Sequence, residues 1–205
     1  MNLQRSSQHS KLGHDFFCGD TVSLARSLLG KSLVTVRRGV RTSGVIVEVE
    51  AYLGSNDPAC HAARGMTPRN EVMFRSAGHC YVYLIYGMYH CVNVVSEDVG
   101  VGSAVLIRAV EPREGLACMA RRRGLKPQAT RDLARGPGRL CQAFGIRTAM
   151  SGDHFVSSPS IWLERGAKVP DAMIGVTGRI GIAAGAELPL RFFLRGCPFV
   201  SGKSS

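Results

Sequence analysis

The chain has 205 residues, 45% of them hydrophobic and 20% charged, the composition of one folded globular domain, which excludes wholesale disorder. No run approaches the roughly 20 apolar residues of a membrane-spanning helix, and the opening MNLQRSSQHSKLGHD lacks the apolar centre of a secretory signal. Lys and Arg outnumber Asp and Glu 26 to 15, a net charge of +11, which points to a polyanionic partner, with a solvated basic surface as the alternative.

Residues 1–12 read as a disordered polar tail and 13–205 as a single domain. Asp20-Thr21 starts a helix with Val22, Ala25, Leu28 and Leu29 on one face and Gly30 as its stop. KSLVTVR (31–37) and SGVIVEVEAY (43–52) are strand-like runs separated by a turn near Gly39. Residues 53–70 form a long polar loop, a kind of segment that often carries function. Thr67-Pro68 then resembles a helix cap and first-turn proline, with a short helix running through Phe74. YVYLIY and YHCVNVVS make a hairpin around Gly87-Met88, and AVLIRAV (104–110) is a further strand. Two helices are expected over 112–123 and 136–145, and IWLERG, MIGVTGRIGI and LRFFLRG give the last strands. Strands come mostly in runs rather than alternating with helices, which indicates an α+β class.

Seven cysteines with no CxxC spacing indicate neither a disulfide framework nor a zinc knuckle, and fit a reducing cytoplasm. Between Arg108 and Arg147, ten Arg and Lys face three acids, so seven of the eleven net charges lie in 40 residues. Such a cluster suits a phosphate backbone, with a solvated helix face as the alternative. GVTGRIG matches neither a dinucleotide fingerprint nor a phosphate-binding loop, so no nucleotide cofactor is expected.

Strand alternation puts Ile46, Glu48, Glu50 and Tyr52 on one face of VIVEVEAY and Val45, Val47 and Val49 on the other. Carboxylates beside apolar and aromatic walls are disfavoured as anions and become candidate general bases. The alternative is an exposed strand with solvated glutamates. Tyr81, Tyr83, Tyr86 and Tyr89 form an aromatic stripe. Tyr rings stack on bases, and a Tyr at a turn such as Tyr86 can wedge into a duplex, whereas packing within a sheet is the plainer reading. His61 has no second ligand at metal spacing, so metal binding is not expected. RGPGRLC (135–141) either opens backbone N–H groups to a phosphate or is a simple Gly-Pro turn.

VEVEAYLG, the HAARGMTPRN loop, YVYLIYGMYHCVNVV, AVLIRAVEP and GPGRLCQAFGI occur in this order, followed by WLERG, RIGI and LRFFLRG. Together they resemble the alkyladenine (3-methyladenine) DNA glycosylase family from about residue 24 to about residue 199, and the compact tails look like those of bacterial members. The resemblance implies a single unit with a curved mixed, mainly antiparallel sheet and surrounding short helices, similar to the C-terminal domain of methionyl-tRNA formyltransferase. It implies a monofunctional base-excision-repair enzyme that flips alkylated or deaminated purines out of duplex DNA and hydrolyses the N-glycosidic bond. The purines are of the 3-methyladenine, 7-methylguanine, hypoxanthine and ethenoadenine class.

By the same resemblance, Glu50 activates the attacking water, and Arg108 and the backbone of Ile180 help to hold it. Tyr52, His61 and Tyr83 line the pocket and sandwich the base, and Asn93 clashes with the amino group of normal guanine. Tyr86, with Met88 beside it, fills the gap left in the duplex, and Arg69, Arg135 and Arg139 contact the DNA backbone. No cofactor or metal is implied. The expected partner is damaged double-stranded DNA, met by a cytoplasmic monomer that associates with the nucleoid when bound. Two other readings stay open: a non-catalytic module that recognises damaged DNA, and an RNA-binding or RNA-modifying protein.

Overall fold

The structure, a computed structural model, describes residues 10–202. Its strands are β1 (Ser32–Arg37), β2 (Val40–Tyr52), β3 (Cys80–Ile85), β4 (Tyr89–Ser96), β5 (Ser103–Glu114), β6 (Ile161–Glu164), β7 (Ile174–Thr177) and β8 (Arg191–Leu194). The helices are α1 (Thr21–Leu28), α2 (Leu116–Arg123), α3 (Thr130–Leu133) and α4 (Pro137–Phe144). The strands form one sheet in the order β3-β4-β5-β2-β1-β6, and β8 pairs with both β2 and β7. The α+β class is as expected, but the sheet is not mixed: every strand pairing among the described residues is antiparallel. The consecutive neighbours β1-β2, β3-β4, β4-β5 and β7-β8 are joined by turns and loops, whereas β5, β6 and β8 pair with β2 or β1 across longer connections.

Asp20 caps α1, accepting a hydrogen bond from the Ser23 N–H at 2.9 Å. Arg38 and Gly39 both take positive φ (50° and 74°), the geometry of a two-residue hairpin turn, so β2 starts earlier than its apolar run. Three expected elements differ. The helix expected from Pro112 begins at Leu116, because β5 continues through Glu114, with Pro112 opposite Gly44 at an irregularity in the ladder. Thr67-Pro68 opens a turn, in which Asn70 Oδ1 accepts from the Thr67 N–H at 2.6 Å, followed by a 3-10 turn over Glu71–Phe74. Only Ile174–Thr177 of MIGVTGRIGI is strand. The chain then folds back on itself: a Cβ on Gly178 would lie 2.2 Å from the Ala186 carbonyl oxygen. Of the expected tail, residues 1–9 lie outside the described residues. Leu12 is buried and its N–H bonds to the Leu163 carbonyl at 2.9 Å, so the domain's packing begins before residue 13.

The main core joins α1, α2 and α4 to the sheet through residues such as Leu28, Ile46, Val49, Ile107, Met119 and Phe144. A second cluster, with Met73, Tyr81 and Val95, lies under the 53–78 loop region, and a third gathers Val47, Ala109, Phe193 and Val200. No helix among the described residues is long and apolar enough to cross a membrane.

The third cluster exposes a break in strand alternation. Ile46 and Val49 both pack into the main core, although they are three residues apart. On β2 the ladder with β5 runs Ile46↔Val110, Glu48↔Ala109 and Val49↔Ile107, so Val47 and Arg108 both fall between paired positions. These are two bulges facing one another, and each turns two consecutive side chains away from the main core. The expected grouping of Ile46 with the glutamates, and of Val49 with Val45 and Val47, is therefore corrected. A one-residue insertion reverses the phase of everything after it.

Two loops are tied together beside β2. Arg179 pairs with Asp57 through both guanidinium arms, one at 2.7 Å, and both side chains are fully buried. Arg179 also donates to the carbonyls of Ala51 (3.0 Å) and Gly185 (3.3 Å). Burial alone would push the Asp57 carboxyl up, but Arg179 and the N–H groups of Leu53 and Ala59 hold it below its ordinary value of 3.8. The stability it contributes is therefore present above pH 3.8 and is lost as pH falls through the lowered folded value. Removing one partner leaves a buried, unpaired charge. Asp57→Ala should cost about 3–5 kcal/mol in urea unfolding at pH 7; a loss below about 1 kcal/mol would show that the pair is not structural.

Candidate active site

A cleft of about 710 Å³ opens between the aromatic hairpin β3-β4, the 53–61 loop, the start of α4 and the loop after Arg179. Glu50 lies against it with no exposed surface. β5 flanks β2 on one edge here and β8 on the other, with Glu50 opposite Leu106 and opposite Arg191. The segments carrying Ile180 and Ser201 bond directly to Glu50 and Glu48, which have no exposed surface, and this rules out a solvated strand face.

An uncompensated carboxylate at such a place costs several kcal/mol. Three donors compensate Glu50. The Ile180 N–H donates to Oε1 at 2.7 Å, and Arg108 Nη1 (3.2 Å) and the Tyr52 hydroxyl (3.0 Å) donate to Oε2. Burial and then the neighbouring Glu50 push the Tyr52 hydroxyl well above its ordinary range, so it remains a donor. Glu48, also without exposed surface, takes Arg108 Nε (3.1 Å), Arg191 Nε (2.7 Å) and both polar groups of Ser201. Two carboxylates thus face two guanidinium groups, and the buried set is electrically balanced.

The aromatic wall comes from neighbouring elements. The rings of His61 and Tyr83 meet edge to face at 4.5 Å, and Tyr81 stacks on Tyr83 at 5.4 Å. The Tyr81 hydroxyl is bonded to His61 Nδ1 at 2.9 Å. Shielding by these rings, and then Arg69, lower the His61 imidazole from its ordinary 6.5, so it is uncharged at neutral pH. Arg179 lies 4.6 Å from the Tyr52 ring centre and so braces that ring. Asn93, buried on β4, donates to the Tyr81 carbonyl at 3.0 Å and lines the cleft.

The hairpin tip behaves differently. Tyr86 is 78% exposed and Met88 65%. Tyr86 takes φ 54°, a strained backbone for a bulky residue, and Gly87 follows at 69°, closing the turn with Met88 N–H on the Ile85 carbonyl at 3.2 Å. Two large apolar side chains are thereby held out in water by a rigid turn, the arrangement expected of a functional site.

The candidate phosphate-binding arginines divide. Arg139 is half-exposed at the cleft rim, with Nη1 3.4 Å from Asp132. Arg69 is exposed, donates to the Leu84 carbonyl at 3.2 Å and lies 5.7 Å from the Tyr83 ring centre. Arg135 is spent on the carbonyls of Val200 (2.6 Å) and Gly202 (2.9 Å). Among the described residues, no group of three or more His, Cys, Asp or Glu side chains is placed to hold a metal ion. Asp57, Arg179, Arg191 and Ser201 join the site without having been picked out from the sequence. Only a buried charge brought close by the fold identifies them, and no local spacing records it.

The family described as methylpurine-DNA glycosylase matches residues 15–198. A relative from Chlorobaculum parvum, named "Putative 3-methyladenine DNA glycosylase", is 46% identical over 192 residues, covering 93% of this chain and 90% of the relative. Relatives of the same name from Methanoculleus marisnigri and Mesorhizobium japonicum are 49% and 44% identical, covering 91% and 99% of this chain and 96% of each relative. With the family match spanning nearly the whole chain and the relatives aligned over nearly their full lengths, this protein belongs to the methylpurine-DNA glycosylase family.

Proposed function

We propose that the protein is a monofunctional DNA glycosylase that releases damaged purines from duplex DNA. The observation that carries the reading is Glu50, a fully buried carboxylate held by three donors against an aromatic cleft. The substrate class is 3-methyladenine, 7-methylguanine, hypoxanthine and ethenoadenine. Tyr86 and Met88 enter the duplex as the base leaves it, and damaged pairs cost less to open. Tyr52, His61 and Tyr83 enclose the flipped base, and Asn93 stands against the extra amino group of guanine. Arg69 and Arg139 lie toward the phosphates, Arg69 with one donor on the Leu84 carbonyl, whereas Arg135 serves mainly to hold the Val200–Gly202 carbonyls. On this reading the sheet is the fold of the formyltransferase C-terminal domain, and the protein works where chromosomal DNA is.

The Ile180 N–H is used by Glu50, while its carbonyl lies 3.4 Å from Arg108 Nη1. A water oriented by that carbonyl and by Glu50 attacks the anomeric carbon. Its proton passes to Glu50, the new C–O bond forms, and the electron pair of the breaking glycosidic bond leaves with the purine. An alkylated purine carries positive charge and leaves neutral. A neutral lesion such as hypoxanthine takes up a proton from solvent as it leaves, so that it too departs as a neutral purine. The anionic carboxylate also favours the positive sugar that develops, and aromatic faces favour a cationic base. A damage-recognition module would have no use for a buried carboxylate in this place.

The test is a duplex carrying one hypoxanthine or ethenoadenine, and separately methylated DNA, incubated with the protein and then treated with hot alkali. Strand cutting that requires the alkali step is expected. Tight binding without cutting would favour recognition alone, and cutting without alkali would contradict a water nucleophile. Tyr86→Ala should weaken release from duplex by about tenfold, about 1.4 kcal/mol, as the wedge no longer offsets the unstacking cost, with less effect on a lesion in a single strand. Equal losses on both substrates would exclude a wedge.

His61 gives a pH signature. Below pH 6.5, as acidity passes its lowered value, the imidazole gains a proton and repels a cationic purine. Release of 7-methylguanine should then fall more steeply in acid than release of hypoxanthine, and His61→Asn should remove that difference. Parallel acid limbs in the unaltered protein would contradict the assignment.

A further inference from the structure

The segment from Pro198 to Gly202 is held by charged side chains from distant parts of the chain. Arg131 Nε donates to the Pro198 carbonyl (3.0 Å), Arg135 to those of Val200 and Gly202 (2.6 and 2.9 Å), and Arg191 Nη2 to that of Ser201 (3.1 Å). Two of these arginines come from the basic stretch that the sequence directs toward phosphate. Val200 is buried with Val47 and Ala109, the neighbours of Glu48 and Arg108 at the two bulges. Ser201 follows, 6% exposed. Its N–H donates to Glu48 Oε2 at 2.6 Å and its hydroxyl to Glu48 Oε1 at 2.9 Å, while Arg108 Nη2 lies 3.5 Å from that hydroxyl.

The guanidinium of Arg108 therefore has an anchor on each nitrogen: Nε on Glu48, Nη1 on Glu50 and the Ile180 carbonyl, Nη2 on Ser201. A planar fork fixed at three points has one orientation, and here only one arm reaches Glu50. Without Glu48 and Ser201 the same fork is free to turn and grip both oxygens of Glu50, the bidentate pairing that arginine and carboxylate favour. A carboxylate gripped in that way is a poorer acceptor for a water proton.

We propose that Ser201 and Glu48 are positioning residues, which hold Arg108 in a one-armed contact with Glu50 and make the Pro198–Gly202 segment a working part of the site. The inference rests on the glycosylase reading above. Its test compares Ser201→Ala, Ser201→Thr and Glu48→Gln with the unaltered protein. The readouts are single-turnover release of hypoxanthine from a duplex, equilibrium binding of that duplex, and thermal unfolding.

Ser201→Ala should release base about ten- to a hundredfold more slowly, the scale of a misplaced catalytic group, with Kd unchanged and Tm lowered only by the loss of one hydrogen bond to a buried carboxylate. Ser201→Thr, which keeps the hydroxyl, should recover the rate. Glu48→Gln should act in the same direction, and its effect should not add to that of Ser201→Ala, because both act through Arg108. If Glu48→Gln does not fold, the two Ser201 variants still decide the matter. Unaltered release by Ser201→Ala overturns the inference alone, as does a threonine variant as slow as the alanine one, or a rate loss matched by lost binding. No release by the unaltered protein overturns the glycosylase reading and this inference together.

Discussion

Two carboxylates buried on one strand are the constraint around which this molecule is arranged. Glu48 and Glu50 have no exposed surface, and a charge in that position survives only if the fold supplies partners for nearly all its lone pairs. Two strands and two loop segments are drawn in to do so. β5 supplies Arg108, β8 supplies Arg191, the loop after β7 supplies the Ile180 N–H, and the segment after β8 supplies Ser201. The paired bulges at Val47 and Arg108 let an otherwise apolar strand pair turn its charged side chains to the side opposite the main core. The loops that frame the cleft are locked by a second buried pair, Asp57 and Arg179, whose arginine also braces Tyr52.

The basic character of the chain thereby acquires two meanings. Part of it sits at the cleft rim, as with Arg139 and Arg69. Another part, Arg108, Arg131, Arg135 and Arg191, donates inward to carboxylates and main-chain carbonyls. Guanidinium suits this second task, because it stays charged and offers five donors in a fixed plane. Net charge alone thus overstates how much of the molecule is available to a polyanion.

Much of the architecture was legible in the sequence. The Asp20 cap, the β3-β4 hairpin with Tyr86 at its tip, and the Gly-bounded α4 follow from local propensity and turn chemistry. The motif order led to Glu50, Tyr52, His61, Tyr83, Asn93 and Arg108; the last five line one cleft, and Glu50 lies directly behind it, bonded to Tyr52 and Arg108. What was illegible depends on long-range packing. A bulge leaves no mark in VIVEVEAY, so alternation misplaced Ile46 and Val49. Pro112 reads as a helix start because proline suits a helix's first turn, but a ladder irregularity opposite Gly44 also holds a proline. The roles of Asp57, Arg179 and Ser201 come from partners 122, 128 and 153 residues away in the chain, beyond any reading of spacing.

The central claim is that Glu50 takes the proton from the attacking water rather than merely organising the cleft. It is tested most directly by Glu50→Gln, which keeps the side chain's shape while removing its charge and basicity and turning one of its two acceptor oxygens into an amide donor. Single-turnover base release and lesion-duplex binding should be measured on the same preparation. The account predicts that binding is retained while release falls by about 10²–10⁴-fold, the usual contribution of a general base. Release at the unaltered rate, with binding intact, would contradict it.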